Sequence, residues 1–538
     1  MTNRIKLSDE QRQVVDADDP LILVTGSAGT GKTTTALAAA HHALTCEHTA
    51  SFRRALFLTF SRTAVSQIGA RMSADSAYHE LALRVDILTF HAFAYQIIRA
   101  FGDKQSARLL SRAEAKLLGR GDDDLVYDEL VPYALEILQR PHVGTLLRNR
   151  WAIVVCDEFQ DTNDPQWQLL QLVSGWSRLL VMADVHQTIY DSLPGNKHHR
   201  MGQQRLDELV THARLIPLTA GSFRDSTNII PAAAEQIRCR KFAHEAVQHA
   251  LNEGRLKVKW YSGDPEDHCD QVLAQLRQLT ATGIQTVGVF LQGNDPVAEL
   301  SATLADRSIH HSVAGLSEAH SEAIRAMATL IGYAAGLVDH NRLRLRLATF
   351  AVASRRRMPP VARMLAGAIP FESRTLEAHL NSLEESLTQM RTSDNLISAV
   401  CAFWPSLKIG VGQAEWQRAA GTFRALIRPL LRSPTEWRSI AEPILQRAEA
   451  ASAEALVTTD EFETAPIRLM NFHQTKGREA DATILVFTNK DFFGPEDAPY
   501  PDTSRLMYVA FTRARHNVIV LMPAQPHPVP APLARYCT

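Results

Sequence analysis

The sequence predicts an α/β protein in which parallel sheets flanked by helices are interrupted by mostly helical insertions. Three observations carry this. LILVT at 21–25 is a short apolar, β-branched run that leads into a glycine-rich turn and an Ala-rich helical stretch. IVVC at 153–156 is a second buried-strand run, and it ends in two adjacent carboxylates. From 336 to 455 the pattern is almost wholly helical. At 538 residues the chain exceeds one core, since domains run to roughly 150 residues. Its 45% hydrophobic and 21% charged content is ordinary globular composition. Lys+Arg 57 against Asp+Glu 58 leaves a net charge of -1, so any surface for a polyanion must be a local groove. Cys46, Cys156, Cys239, Cys269, Cys401 and Cys537 form no CxxC pair, which argues against a disulfide framework or zinc site. MTNRIKLSDEQ has no apolar signal region, and no run approaches the ~18 apolar residues of a membrane span. The expectation is a soluble cytoplasmic protein with no membrane partner.

The turn after the first strand reads GSAGTGKT. In its strand–loop–helix setting it is a P-loop, the phosphate cradle of nucleotide-binding proteins. Gly26, Ser27, Ala28, Gly29, Thr30 and Gly31 would curl so that backbone N–H groups face phosphate oxygens, with the helix N-terminus adding its dipole. Lys32 would reach the β- and γ-phosphates, Thr33 would place its hydroxyl on Mg²⁺, and Thr34 completes the binding set. The strand at 153–156 runs into Asp157-Glu158-Phe159-Gln160-Asp161. Paired carboxylates there suit metal-assisted hydrolysis: Asp157 holds Mg²⁺ and Glu158 polarises the attacking water.

Further strings follow in an order that resembles the UvrD/Rep/PcrA-type superfamily-one helicases. LSDEQ at 7–11 resembles the Q motif, LTFSRTA at 58–64 motif Ia, LTFHAF at 88–93 motif Ib and DEFQDT motif II. ADVHQTIY at 183–190 resembles motif III, SFRDSTNI at 222–229 motif IV, FHQTKGRE at 472–479 motif V and RLMYVAFTRAR at 505–515 motif VI. The resemblance implies ATP as the nucleotide and two RecA-like lobes. Gln11 would read the adenine edge, Phe223 would stack on the base, and Glu479 would meet the ribose. Gln187 would sense the γ-phosphate, Arg224 would contact it, and Arg513 would be the arginine finger. Phe60 and Arg62 from motif Ia, Thr89, Phe90 and His91 from Ib, Tyr190 from III, and His473 and Lys476 from V would line a single-stranded DNA track. Phe60, Phe90 and Tyr190 are the candidate stacking rings.

Some strings depart from the family. After Tyr190 the chain reads Asp191-Ser192-Leu193-Pro194-Gly195, without the usual aromatic residue and Arg-Gly. Arg62-Thr63 replaces Asn-Lys, and Phe223 replaces tyrosine. These changes bear on strand handling and leave the hydrolytic residues untouched.

The resemblance divides the chain into lobe 1A (1–93 and 148–220), a shortened helical subdomain 1B (94–147), lobe 2A (221–335 and 456–538) and a helical subdomain 2B (336–455). With 25 residues after Arg513, the expectation is that no nuclease domain is fused there. Arg342, Arg344, Arg346 and Arg355-Arg356-Arg357 would either meet duplex phosphates or form a solvated helix face. The tail PAQPHPVPAP would dock on a partner or pack on its own lobe.

Two functions remain open on these grounds. One is an ATP-driven 3′→5′ translocase that separates strands at single-strand/duplex junctions. The other is a DNA-gated ATPase switch controlling a separate nuclease or other protein partner, as in compact UvrD-like components of Gabija-type anti-phage systems. A P-loop kinase or GTPase would leave the motif V and VI strings unexplained.

Overall fold

The structure is a computed structural model that describes residues 7–537 apart from 47–48, 61, 76–77, 79–81, 104–108, 120–123, 148, 176, 190–201, 263–264, 308, 314–317, 356–357, 432–436, 455–464, 490–496, 499 and 501. Tyr190 and the motif III departures at 191–195 lie outside the described residues, as do Arg356, Arg357 and the side chain of Arg62. The chain divides into two compact units, one formed by Met1–Asp103, Val131–Ala314 and Thr459–Thr538, the other by Lys104–Leu130 and Gly315–Thr458.

Fourteen strands occur among the described residues. In chain order they are β1 (Leu21–Gly26), β2 (Arg54–Thr59), β3 (Val85–Thr89), β4 (Leu109–Leu110), β5 (Leu125–Val126), β6 (Trp151–Cys156), β7 (Arg178–Ala183) and β8 (Arg214–Leu218), then β9 (Leu256–Tyr261), β10 (Val287–Leu291), β11 (Ser312–Val313), β12 (Ile467–Asn471), β13 (Ala480–Val486) and β14 (Ala514–Pro523). The first unit holds two six-stranded sheets, ordered β3-β2-β6-β7-β1-β8 and β11-β12-β10-β13-β14-β9, and every pairing in both is parallel. The sequence already shows why: inner strands such as β1, β6, β10 and β13 are near-continuous apolar runs, as expected where helices cover both faces of a sheet. The α/β class, with parallel sheets flanked by helices, is therefore as the sequence predicts.

In the first sheet β7 lies between β1 and β6, with Thr25 opposite Ala183 and Val181 opposite Cys156. Parallel register puts the C-terminal ends of all three at one edge, where an open α/β sheet binds its ligand. In the second sheet β13 and β14 start level, Ala480 opposite Ala514. The residues just before them, Glu479 and Arg513, therefore leave that sheet side by side at its N-terminal edge.

The second unit is helical apart from the β4–β5 pair among its described residues. Its core stacks Trp404 on Trp416 at 5.7 Å between centroids, with the Phe350 ring edge-on to both. Two boundaries differ from the sequence reading, which starts the large insert at 336 and treats 94–147 as one piece. The helix Glu318–Ala334 buries Ala323, Met327, Leu330 and Ile331 in the same core as Leu343, Leu347 and Phe350, so it belongs to the helical unit. Ala113 joins that core, and Glu114 bonds Arg325 and Arg346, which draws 104–130 in as well.

The basic stretch is corrected by the same packing. Arg344 pairs with Glu384 at 2.6 Å, and Arg346 with Glu114 and Glu322 at 2.8 and 3.1 Å, so neither forms an exposed phosphate-binding or solvated face. The tail packs on its own unit: Leu533 is buried and the Tyr536 hydroxyl donates to the Phe242 carbonyl at 3.2 Å. All six cysteines are unbridged. No helix among the described residues is long and apolar enough to cross a membrane.

Candidate nucleotide site

Ser8 and Gln11 cap the helix Asp9–Asp16 reciprocally: the Ser8 hydroxyl accepts from the Gln11 amide, and Gln11 Oε1 accepts from the Ser8 amide. This box fixes the Gln11 side chain, whose Nε2 donates to the Thr30 carbonyl at 3.4 Å. The glycine loop is pressed from both sides. Gly29 and Gly31 sit at φ 86° and 84°, in the left-handed region that side chains disfavour. A Cβ on Gly31 would lie 2.5 Å from Gln11 Nε2, and one on Gly29 2.2 Å from Ser222 Oγ. Glycine is therefore required there by conformation and by space.

Lys32 begins the helix Lys32–Thr45; its ammonium donates to the Gly26 and Ser27 carbonyls at 2.6 and 3.1 Å and lies 3.8 Å from Asp184 Oδ2. Asp157 and Glu158 follow β6, and Glu158 takes φ 53°, an uncommon conformation for a side-chain-bearing residue. Burial, then the neighbouring Glu158, pushes the Asp157 carboxyl up to about 6. Burial also acts against Glu158, but Lys476 and then Lys32 outweigh it and hold its carboxyl below the usual range. Their surroundings thus drive the two neighbouring carboxyls in opposite directions.

A relay runs from here across to the second sheet. Gln160 donates to Glu158 Oε2 at 2.6 Å, and its Oε1 accepts from the Asp184 amide. Asp184 Oδ2 accepts from Gln187 Nε2 at 2.7 Å, and Gln187 Oε1 accepts from Arg513 Nη2 at 3.3 Å. Arg513 is almost wholly buried and also donates to the Val509 carbonyl; burial, then Arg224, brings it down to about 10. Arg224 donates to Glu479 Oε1 at 2.6 Å and to the Thr512 carbonyl at 2.7 Å. Arg71 and Arg515 also face Glu479, at 3.8 and 3.2 Å. Burial opposes ionisation of Glu479, yet the three guanidiniums, Arg224 foremost, hold its carboxyl far below the usual range.

These side chains surround one cavity of about 480 Å³, a size suited to a small ligand. Gln11, Ala28 to Thr34, Asp157, Glu158, Gln187, Phe223, Arg224, Glu479 and Arg513 all line it. The Gly26 and Ser27 carbonyls hold Lys32 from below. Phe223 leaves 60% of its surface exposed at the rim, and its amide donates to the Gly29 carbonyl. Thr33 and Asp157 fit a hard divalent cation: both offer oxygen, both line the cavity, and a cation beside the raised Asp157 carboxyl would favour its ionised form.

The strand-track set is placed differently. Phe60 and His91 are half-buried at the C-terminal edge of the first sheet, past β2 and β3. Thr89 is buried and its hydroxyl caps the helix Phe90–Phe101. Phe90 is only 1% exposed, because Phe90, Phe93, Ala94, Ile97 and Ile98 form the inward face of that amphipathic helix. It offers no ring face for stacking, which corrects the expectation. Lys476 is corrected too: it is 7% exposed and bonded to Asp161, not turned outward. His473 is half-buried, the loss of solvent lowers its pKa, and its ring meets the Ile189 backbone.

Sequence reasoning missed Asp184, Gln160, Arg71, Arg515 and Tyr508, whose hydroxyl accepts from the Ala28 amide at 3.3 Å. Asp184 carried a readable signal, a carboxylate directly after an apolar strand end, as at Asp157. Arg71 carried none, since it reaches the cavity from the far end of the helix Arg62–Ala74.

A family model described as an AAA domain matches residues 11–192. The chain is 24% identical over 213 residues to the ATP-dependent DNA helicase PcrA of Staphylococcus epidermidis, covering 39% of this chain and 27% of PcrA. It is 37% identical over 90 residues to the RecBCD enzyme subunit RecB of Mycobacterium tuberculosis, 16% of this chain and 8% of RecB. It is 31% identical over 72 residues to the exonuclease/helicase subunit RexA of Lactococcus lactis, 13% of this chain and 6% of RexA. The chain thus spans about a quarter or less of the length of these relatives. With its paired parallel sheets lining one P-loop cavity, the chain resembles the UvrD/PcrA-type helicases of superfamily one.

Proposed function

We propose that this chain is an ATP-dependent motor on single-stranded DNA that moves 3′→5′ and separates duplexes at junctions. One observation carries the reading: Lys32 and Glu158, beside strand ends of the first sheet, line the same cavity as Arg513, just before β14 of the second, and Arg224, which bonds Glu479 just before β13. Phosphoryl transfer spreads charge over the γ-phosphoryl oxygens, and guanidiniums preset around that position stabilise it without reorganising. Thr33 and Asp157 would hold Mg²⁺, which supplies charge neutralisation on the phosphates when bound. Glu158, ionised beside Lys476 and Lys32, accepts the proton of the attacking water. Phe223 offers a ring for adenine, and Gln11 a fixed amide for its edge. Phosphate release removes what draws the arginines inward, so the two sheets part and close once per turnover. Phe60 and His91 are the described candidates for holding the strand. RecB is named as part of a RecBCD enzyme and RexA as part of an exonuclease/helicase, and by analogy a nuclease is the proposed partner class.

The test pairs ATP turnover on oligo-dT with displacement of 3′-tailed and 5′-tailed duplexes. The motor reading expects DNA-stimulated hydrolysis, lost in Lys32→Ala, and displacement from the 3′ tail. Stimulated hydrolysis without displacement from either tail would instead favour the DNA-gated switch. No hydrolysis with any DNA would reject both.

A further inference from the structure

Lys476 follows the short turn Phe472–Thr475 at the end of β12, in the second sheet's half of the first unit. Its ammonium lies 2.6 Å from Asp161 Oδ2, donates to the Gln187 carbonyl at 2.5 Å and stands 3.8 Å from Glu158 Oε2. Asp161 is 1% exposed and belongs to the short helical turn Phe159–Asp161, which begins immediately after Glu158. Glu158 itself adopts the left-handed conformation at the head of that turn. The lysine thus grips the segment whose shape decides where the Glu158 carboxylate points. It also grips the carbonyl of Gln187, the residue that joins Arg513 to Asp184. A buried ammonium is held this way only when its partners satisfy it, and losing one partner costs several-fold more than losing an exposed pair.

We propose that Lys476 is a positioning residue for hydrolysis, which aligns Glu158 from the opposite sheet through Asp161 and the Gln187 carbonyl, and that it makes no contact with DNA. The role rests on the ATPase reading above. It makes the base's geometry conditional on the second sheet being docked. When the sheets part, the lysine withdraws, and the Glu158 turn loses the clamp that fixes its backbone. Hydrolysis is then confined to the docked arrangement without any nucleotide contact by Lys476 itself.

The experiment uses the full chain with Lys476→Ala, Lys476→Arg and Asp161→Asn. It measures kcat and KM for ATP at saturating oligo-dT, anisotropy of labelled oligo-dT, and thermal melting. Wild-type turnover that Lys32→Ala abolishes establishes the ATPase separately, so its absence would sink the parent reading rather than this one. Lys476→Ala and Asp161→Asn are expected to lower kcat about 100-fold, the scale of a misplaced general base, with KM and the oligo-dT dissociation constant within about threefold of wild type. Lys476→Arg keeps the charge and should recover at least about tenfold of that loss, which a protein that had merely failed to fold would not do. Wild-type kcat in a folded Lys476→Ala overturns the proposal. So does a tenfold weaker grip on oligo-dT with kcat retained at saturating DNA, since that would make the lysine a strand contact.

Discussion

Arg224 and Glu479 are 255 residues apart in sequence, yet the guanidinium donates to Glu479 Oε1 at 2.6 Å inside the nucleotide cavity. The arginine is thereby aimed before any phosphate arrives, and Arg71 and Arg515 share the same carboxylate. Replacing Arg224 with Ala is expected to cut kcat by roughly 10³-fold, the lower end for a charge-stabilising arginine in phosphoryl transfer. Binding of a fluorescent ATP analogue should change far less, and steady-state kinetics beside equilibrium titration measure both.

Glu158→Gln removes the base but preserves the Gln160 contact as a neutral hydrogen bond. Nucleotide binding should persist while turnover falls by about 10²- to 10⁴-fold. Retained turnover would mean that another group accepts the proton.

Gly31→Ala forces a side chain into φ 84° and against Gln11. The conformation alone costs about 1–2 kcal/mol, and the clash displaces Gln11. Melting temperature and ATP affinity should both fall. Adding Gln11→Ala removes the closest contact of the new Cβ, so the two substitutions should lower the melting temperature by less than the sum of their separate effects.

His320 lies in the core of the helical unit, its Nε2 3.1 Å from the Thr422 hydroxyl, and burial, then Arg418, lowers its pKa to about 4 from 6.5. Between those values the unfolded chain binds a proton that the folded one refuses, so stability falls as pH drops through this window. At pH 5 the loss approaches about 2 kcal/mol, from ~1.4 kcal/mol per pH unit below 6.5. Urea midpoints at pH 7 and pH 5 should therefore differ more for wild type than for His320→Gln.

The strand ends that build one wall of the cavity were readable, because a P-loop and a carboxylate pair after apolar runs each state their own local conformation. Parallel register then does the rest, setting Gly26, Cys156 and Ala183 at one edge. Phe90 was misread because a motif string says nothing of helix phase, whereas the spacing Phe90, Phe93, Ala94, Ile97 and Ile98 does. Lys476 was misread for a different reason. A lysine near a strand track looks like a phosphate contact until folding supplies Asp161, over three hundred positions upstream. The helix Glu318–Ala334 was assigned to the wrong side of a boundary because an apolar helix fits a sheet's flank or a bundle's core equally well; only its neighbours decide.

Level starts of β13 and β14 have a mechanical corollary. Glu479 and Arg513 hang from adjacent rungs of one rigid ladder, joined by the bond from the Ala480 amide to the Arg513 carbonyl at 3.1 Å. Neither can advance toward a bound nucleotide without carrying the other. Under the proposed function, the residues that the sequence assigns to the sugar and to the terminal phosphate therefore move in a single stroke, and a ligand that satisfies one half alone would stall it midway.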